Sequence, residues 1–269
     1  MSNKKDSLGD RMKAYEAVPK NFLMRRIPAI IRLDGKAFHT FTKGFKKPFD
    51  TLLMRTMQET MKRLCENIQG CVLGYTQSDE ITLVLCDYQT LTTDAWFGYN
   101  IEKMTSVAAS MATLYFNQIF ADEIASAFRL PTNHKDAIAY YETLCKAKTK
   151  GALFDARVFS LPKEEVNNCL VWRQQDAIRN SIQAVAQSCF PHKELQGLST
   201  DELIVKLIDE KNINWTTDFS TSCKKGCCCV KKEVRIGDVS RKKWVLDYDI
   251  PTFSMRPDYV NNEITFEGD

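Results

Sequence analysis

A chain of 269 residues that is 44% hydrophobic and 26% charged has the make-up of a soluble globular protein, with enough residues for one large core or two modest ones. Lys plus Arg 37 against Asp plus Glu 34 leave a net charge of +3, which excludes attraction to nucleic acid by bulk charge and leaves only local clustering. No run nears the roughly 18 apolar residues of a membrane span, the opening MSNKKDSLGDRMKAYE lacks a signal-peptide core, and ten Cys are too few for a disulfide scaffold, so the expectation is a cytoplasmic protein with reduced thiols and no membrane partner.

In chain order, residues 27–33, IPAIIRL, predict a strand by their β-branched content. The segment from Asp50 to Ile68 predicts a helix with Asp50 as N-cap, because Leu53, Met57, Met61, Leu64 and Ile68 recur at three- and four-residue spacing. CVLGYT and ITLVLC, on either side of QSDE, predict a hairpin. A long helix is expected from Ile101 to about Phe128, with Met104, Ala108, Met111, Tyr115 and Ile119 as its apolar stripe. DARVFSL, 155–161, reads as the next strand.

The order strand, helix, strand, strand, helix, strand is that of an α+β, ferredoxin-like palm: an antiparallel sheet with helices on one face, here over residues 1–162. Residues 163–269 are expected to add a helical segment and C-terminal strands packed on the palm in one continuous domain. Pro162 opens the helical pattern, Ser199 and Glu202 have capping-box spacing, and strand-like sequence returns from Cys227. Cys223 and Cys227 to Cys229 invite a comparison with zinc ligands, but three successive residues of a strand alternate faces and no CxxC pair or nearby His completes a set, so a sulfur-rich strand is expected.

In such a sheet the first strand lies between the third and fourth, so its end adjoins the turn between the second and third. Asp34 and Asp79 thereby reach one edge of the sheet. Paired carboxylates repel unless a cation lies between them, and hard dications such as Mg²⁺ take oxygen ligands. Gly35 offers a close backbone carbonyl, the amides of KAFH can meet phosphate oxygens, and Lys43, Lys46 and Lys47 supply positive charge. Each feature has an ordinary reading as a turn or a solvated loop; it is their convergence that favours metal-dependent nucleotide chemistry.

The motifs RLDGKAFHTF, KKPFD, GYTQSDEITLVL, FDARVF and WRQQDAIRNS together resemble the tRNA(His) guanylyltransferase-like family. The resemblance implies a polymerase-like palm that adds nucleotides to RNA 5′ ends in the 3′-to-5′ direction, with Asp34, the Gly35 carbonyl and Asp79 holding two Mg²⁺. It implies that Asp34, Gly35, Lys36, Ala37, Phe38, His39, Ser78 and Asp79 line the nucleotide, with Lys47 and Lys103 as basic contacts and Glu80 as an acidic catalytic neighbour. ATP and GTP would be substrates, tRNA the partner, and a homo-oligomer, a tetramer in the family, the assembly. Arg157, Arg173, Gln174, Asp176, Arg179 and Asn180 are candidates for RNA or activation contacts, against the alternative of a polar helix face. The chain departs from the family where a His-Ile-Asn-Asn run is usual: Ile178 falls at the histidine, which favours template-dependent repair of 5′-truncated tRNA over guanylate addition to tRNA(His). A nucleotide cyclase-like enzyme and a non-catalytic RNA-binding palm are the competing readings.

Overall fold

Strands β1 (Ala29–Gly35), β2 (Cys71–Gln77), β3 (Glu80–Leu85) and β4 (Phe154–Ser160) form the expected palm, with α3 (Thr51–Asn67) after β1 and α4 (Ile101–Ala127) after β3. This is a computed structural model that describes residues 7–129, 134–236 and 239–265. β1 is antiparallel to both β3 and β4, and β5 (Cys227–Ile236) and β6 (Val239–Asp247) extend the same sheet, in the order β4-β1-β3-β2-β5-β6.

Alternation along the strands builds two cores. Ile31 and Leu33 enter one core with α3 and α4, while Ile30 enters the other with Val166 and Leu170 of α6 (Lys163–Cys189). The palm helices therefore share one face, and the C-terminal extension closes the opposite one, which is why every residue of β3 is buried. In β5, Cys227 and Cys229 join the α3-side core and Cys228 the other, as alternation requires. All ten thiols are free.

Local chemistry sets the helix limits. Asp50 caps α3 by accepting from the amides of Leu52 and Leu53 at 3.1 and 3.0 Å. The buried stripe of α4 differs from the expected one: Met104 and Ala108 are buried, but the line continues through Ala112, Phe116, Phe120 and Ile124, leaving Met111, Tyr115 and Ile119 half-buried. The reason is the four-residue turn helix α2 (Phe38–Phe41), which presents Phe38 and Phe41 to α4. Phe38 packs on Phe116 at 5.5 Å and Phe154 at 5.3 Å, and Phe41 on Phe120 at 5.5 Å. The turn that follows β1 is thus riveted to the core by aromatic contacts worth about 0.5–1.5 kcal/mol each beyond area burial.

Further helices complete the chain: α1 (Ser7–Ala17), α5 (Lys135–Lys150), α7 (His192–Leu195), α8 (Thr200–Lys211), α9 (Trp215–Asp218), α10 (Thr221–Lys225) and α11 (Asp258–Asn261). The capping box of Ser199 and Glu202 opens α8. α5 is hard to read by periodicity, because only Leu144 and Ala147 of its 16 residues are buried.

Candidate active site

The register places Asp34 of β1 directly across from Glu80 of β3 and from Asp155 of β4. The amide of Gly35 donates to the carbonyl of Asp79 at 3.1 Å, which pins the strand end to the hairpin turn. An added Cβ at Gly35 would lie 2.2 Å from the Phe38 ring, so glycine is what lets the following turn fold back on the core. Ala37 (φ 54°) and Ser78 (φ 50°) both take left-handed backbone conformations, costing about 1 kcal/mol each, and both face the cleft that lies there.

That cleft has a volume of about 520 Å³. Gly35, Ala37, Phe38, His39, Lys46, Lys47, Asp50, Ser78 and Asp79 are among its lining residues. The amides of Ala37, Phe38 and His39 open the turn ahead of its first internal bonds, from Thr40 and Phe41 to the Ala37 carbonyl. Lys36 is exposed and its amide is bound to Leu153 at 2.8 Å, so it stands beside the cleft. A smaller cavity of about 180 Å³ adjoins it and is lined by both Ser78 and Asn180.

Burial raises the carboxyl pKa of Asp79; hydrogen bonds from its own amide and Ser78 pull the other way, and the charge of Asp34 raises it further. Among the described residues neither Asp34 nor Asp79 has an ion-pair partner. Asp34 shares a face with Ile30, opposite the α3 side, and is flanked there by the carboxylates of Glu80 and Asp155. Uncompensated carboxylates beside a main-chain carbonyl are hard oxygen donors, so the donor set fits Mg²⁺. No group of three such side chains is assembled among the described residues, so an ion held here would complete its shell with oxygens of water or of a bound phosphate.

Glu80 differs. Its carboxylate accepts from Arg173 Nε at 2.8 Å, and Arg173 also binds Asp176 at 2.7 Å, with Arg179 paired to the same aspartate. Desolvation raises the Glu80 pKa against the opposing pull of Arg173 and Arg32. Glu80 is therefore a buried anchor between β3 and α6. Gln174 is also committed: its amide group donates to Pro251 O at 3.0 Å and accepts from Phe253 N at 2.9 Å, clamping the C-terminal segment to α6, and at 2% exposure it presents no surface to RNA.

Two functional candidates were missed in sequence. Arg32 stands on the α6 side of the sheet opposite Arg157, 5.5 Å over the ring of Trp172, and Arg173 lies 4.2 Å from the same ring. Trp172 is 53% exposed, so an aromatic platform bearing arginines borders Asp34. The signal was the alternation of β1, which carries Arg32 to the same face as Asp34. Lys103 is placed elsewhere. It lies in the first turn of α4, over Phe97 at 6.0 Å, at the end of the sheet where Arg25 binds Asp87. Thr113, whose hydroxyl meets Phe154 near Gly35, is ten residues along the helix, about 15 Å away, so within one chain Lys103 does not reach the cleft.

The family model described as "Thg1: tRNAHis guanylyltransferase" matches residues 9–162. A bacterial tRNA(His) guanylyltransferase-like protein solved in complex with ATP is 40% identical, with a TM-score of 0.81 over 97% of this chain and 100% of that one. The bacterial structure in complex with GTP is 38% identical, with a TM-score of 0.78 over 96% of this chain and 99% of that one. Among curated proteins, an uncharacterised protein of Acanthamoeba polyphaga mimivirus is 29% identical over 97% of this chain and 89% of its own length. The probable tRNA(His) guanylyltransferase of Drosophila melanogaster is 26% identical over 79% of this chain and 70% of its own length.

Proposed function

The chain belongs to the tRNA(His) guanylyltransferase family of nucleotidyltransferases, and from that premise we propose that it is a Mg²⁺-dependent 3′-to-5′ polymerase that rebuilds the 5′ ends of truncated tRNAs. The observation that carries the reading is the end of β1, where Gly35 directly follows Asp34 and is pinned to Asp79, at a cleft lined by Gly35, Asp79, Lys46 and Lys47, in a chain similar to proteins solved with ATP and with GTP.

The reaction has two displacements. The tRNA 5′-monophosphate attacks the α-phosphorus of ATP or GTP and releases pyrophosphate; the 3′-hydroxyl of the incoming nucleotide then attacks the activated 5′-phosphorus and releases the nucleoside monophosphate. Asp34, Asp79 and the Gly35 carbonyl would hold Mg²⁺, which when bound neutralises triphosphate charge and makes a hydroxyl more acidic. The turn amides from Ala37 to His39 and the ammonium groups of Lys46 and Lys47 orient the triphosphate. Glu80 and Arg173 hold the strand end rigid while Asp34 and Asp79 act, so positioning and electrostatics carry the catalysis.

Two features support tRNA repair in particular. Ile178 packs beside Ile182, Phe190 and Leu203 in a small core between α6 and α8, so the family's histidine position offers an apolar side chain and no ring nitrogen for guanylate-specific recognition. The β5–β6 ribbon pairs with β2 only through residues 227–230 and then runs on as two strands. Residues 227–247 hold six basic residues, Lys231, Lys232, Arg235, Arg241, Lys242 and Lys243, against three acidic ones, so this stretch alone equals the net charge of +3 of the whole chain. Lys232 lies directly across from Lys243 and is paired with Asp247 at 2.9 Å, so Lys243, Arg241 and Arg235 are the ribbon's candidates for a phosphate backbone. This is the clustering that the small net charge demanded. Ten free thiols support a reducing, cytoplasmic setting. α1 buries none of its side chains and exposes Leu8 and Tyr15, which supports a homo-oligomer that shares tRNA between chains.

The test is a 5′-extension assay: a 5′-truncated tRNA bearing a monophosphate, supplied with Mg²⁺, ATP and all four nucleoside triphosphates, lengthens at its 5′ end, and full-length tRNA(His) lacking its extra guanylate is the poorer substrate. Failure to extend any truncated tRNA would defeat the proposal, and preference for tRNA(His) would replace repair with guanylate addition.

A further inference from the structure

A third cavity, about 460 Å³, lies behind the triphosphate cleft, among the first turn of α3, the end of α4 and α5. Lys46 lines both cavities, Asp50 lines the cleft, and Tyr140 of α5 lines the cavity behind it. Across this wall the Tyr140 hydroxyl donates to Asp50 Oδ2 at 2.6 Å. The same oxygen accepts from the Lys46 amide at 3.0 Å, while Oδ1 caps α3. The Lys46 ammonium lies 4.5 Å over the Tyr140 ring.

Asp50 is 5% exposed and has four donors. Three are amides of its own loop and helix, and only Tyr140 comes from another element. A short O–H···O⁻ bond of this kind is among the stronger protein hydrogen bonds. Burial first, and then the hydrogen bond to Asp50 and its charge, raise the phenol pKa above its ordinary value, so the hydroxyl remains a donor.

We propose that Tyr140 is a positioning residue for nucleotide binding: through Asp50 it fixes the loop that carries Lys46 and Lys47, so that the ammonium groups are already in place when a triphosphate enters. The inference rests on the reading of the cleft as the triphosphate site. A loop held in advance loses less conformational freedom on binding, so the clamp acts on affinity and leaves the chemical step alone. It also gives α5, which contributes little to the core, a part in the reaction.

The experiment is Tyr140→Phe in the full chain, which keeps the ring over Lys46 and removes only the donor. The apparent KM for ATP and GTP, and the Kd of a fluorescent ATP analogue, are expected to rise about tenfold, which is about 1.4 kcal/mol, with kcat at saturation unchanged within about twofold. Leu144→Val, which perturbs the buried contact of α5 without touching the hydroxyl, serves as the comparison: it lowers Tm and leaves Kd and KM alone. Wild-type Kd and KM in Tyr140→Phe would overturn the inference, as would a rise matched by Leu144→Val, since that would make Tyr140 merely structural. A wild-type protein that bound no triphosphate would instead overturn the reading of the cleft, and this inference with it.

Discussion

Two clusters of charge lie within one strand-width of each other and are built on opposite rules. On the α6 side, Glu80, Arg173, Asp176 and Arg179 are joined in a chain of ion pairs, with Glu80 and Arg173 both buried. Where the end of β1 meets the hairpin tip, the charge of Asp34 adds to the burial that raises the Asp79 pKa, and among the described residues neither carboxylate has an ion-pair partner. Buried charge that is paired in the folded chain is architecture, whereas charge left unpaired is held for a ligand.

Asp79→Ala breaks the comparison most sharply. It should lower 5′-nucleotide addition by about 10³-fold or more while leaving the melting transition and tRNA binding largely intact, measured by single-turnover extension beside a tRNA-binding titration. Arg173→Ala should do the reverse in character: it leaves Glu80 buried without its partner and should cost about 3–5 kcal/mol of stability in denaturant unfolding, much of it recovered in Arg173→Met with Glu80→Gln. Retention of full stability in Arg173→Ala would remove the distinction between the two clusters.

Asp79→Asn sharpens the point through pH. Because the folded-state pKa of Asp79 lies above its unfolded value, the folded chain binds the proton more tightly; stability is favoured at low pH and lost as pH rises through the folded pKa. In the absence of Mg²⁺ the Asn variant should melt higher than wild type at neutral pH, and the gap should close on acidification. Adding Mg²⁺ with a triphosphate should raise the Tm of wild type more than that of Asp79→Asn. The smallest effect is expected from the ribbon: Lys243→Ala or Arg241→Ala should reduce the slope of log Kd for tRNA against log salt by about 0.9 per side chain that meets phosphate, without altering nucleotide KM.

Much of the palm was legible. Asp50 and Ile68 bracket α3 as its caps, and the hairpin of β2 and β3 follows the strand signals on either side of Gln77 to Glu80. The stripe of α4 was misread because several apolar lines run along a helix this hydrophobic, and only the aromatic contacts with Phe38 and Phe41 choose among them. Lys103 was carried to the cleft by a motif resemblance, which holds no information about where a helix turn lies relative to a strand end. Arg32 was passed over because an arginine inside a strand pattern looks like a solvated residue until the register puts Arg157 and Trp172 beside it.

The sequence by itself determined the order of elements and the acidic residues at the two turns, because periodicity and capping are local properties written within a few residues of one another. Only the tertiary structure decided which carboxylate is paired, which lysines reach the cleft and that Tyr140 braces the loop carrying them. Those facts depend on atoms brought together from distant parts of the chain, and a pairing such as Glu80 with Arg173 comes into being only when β3 and α6 close on one another.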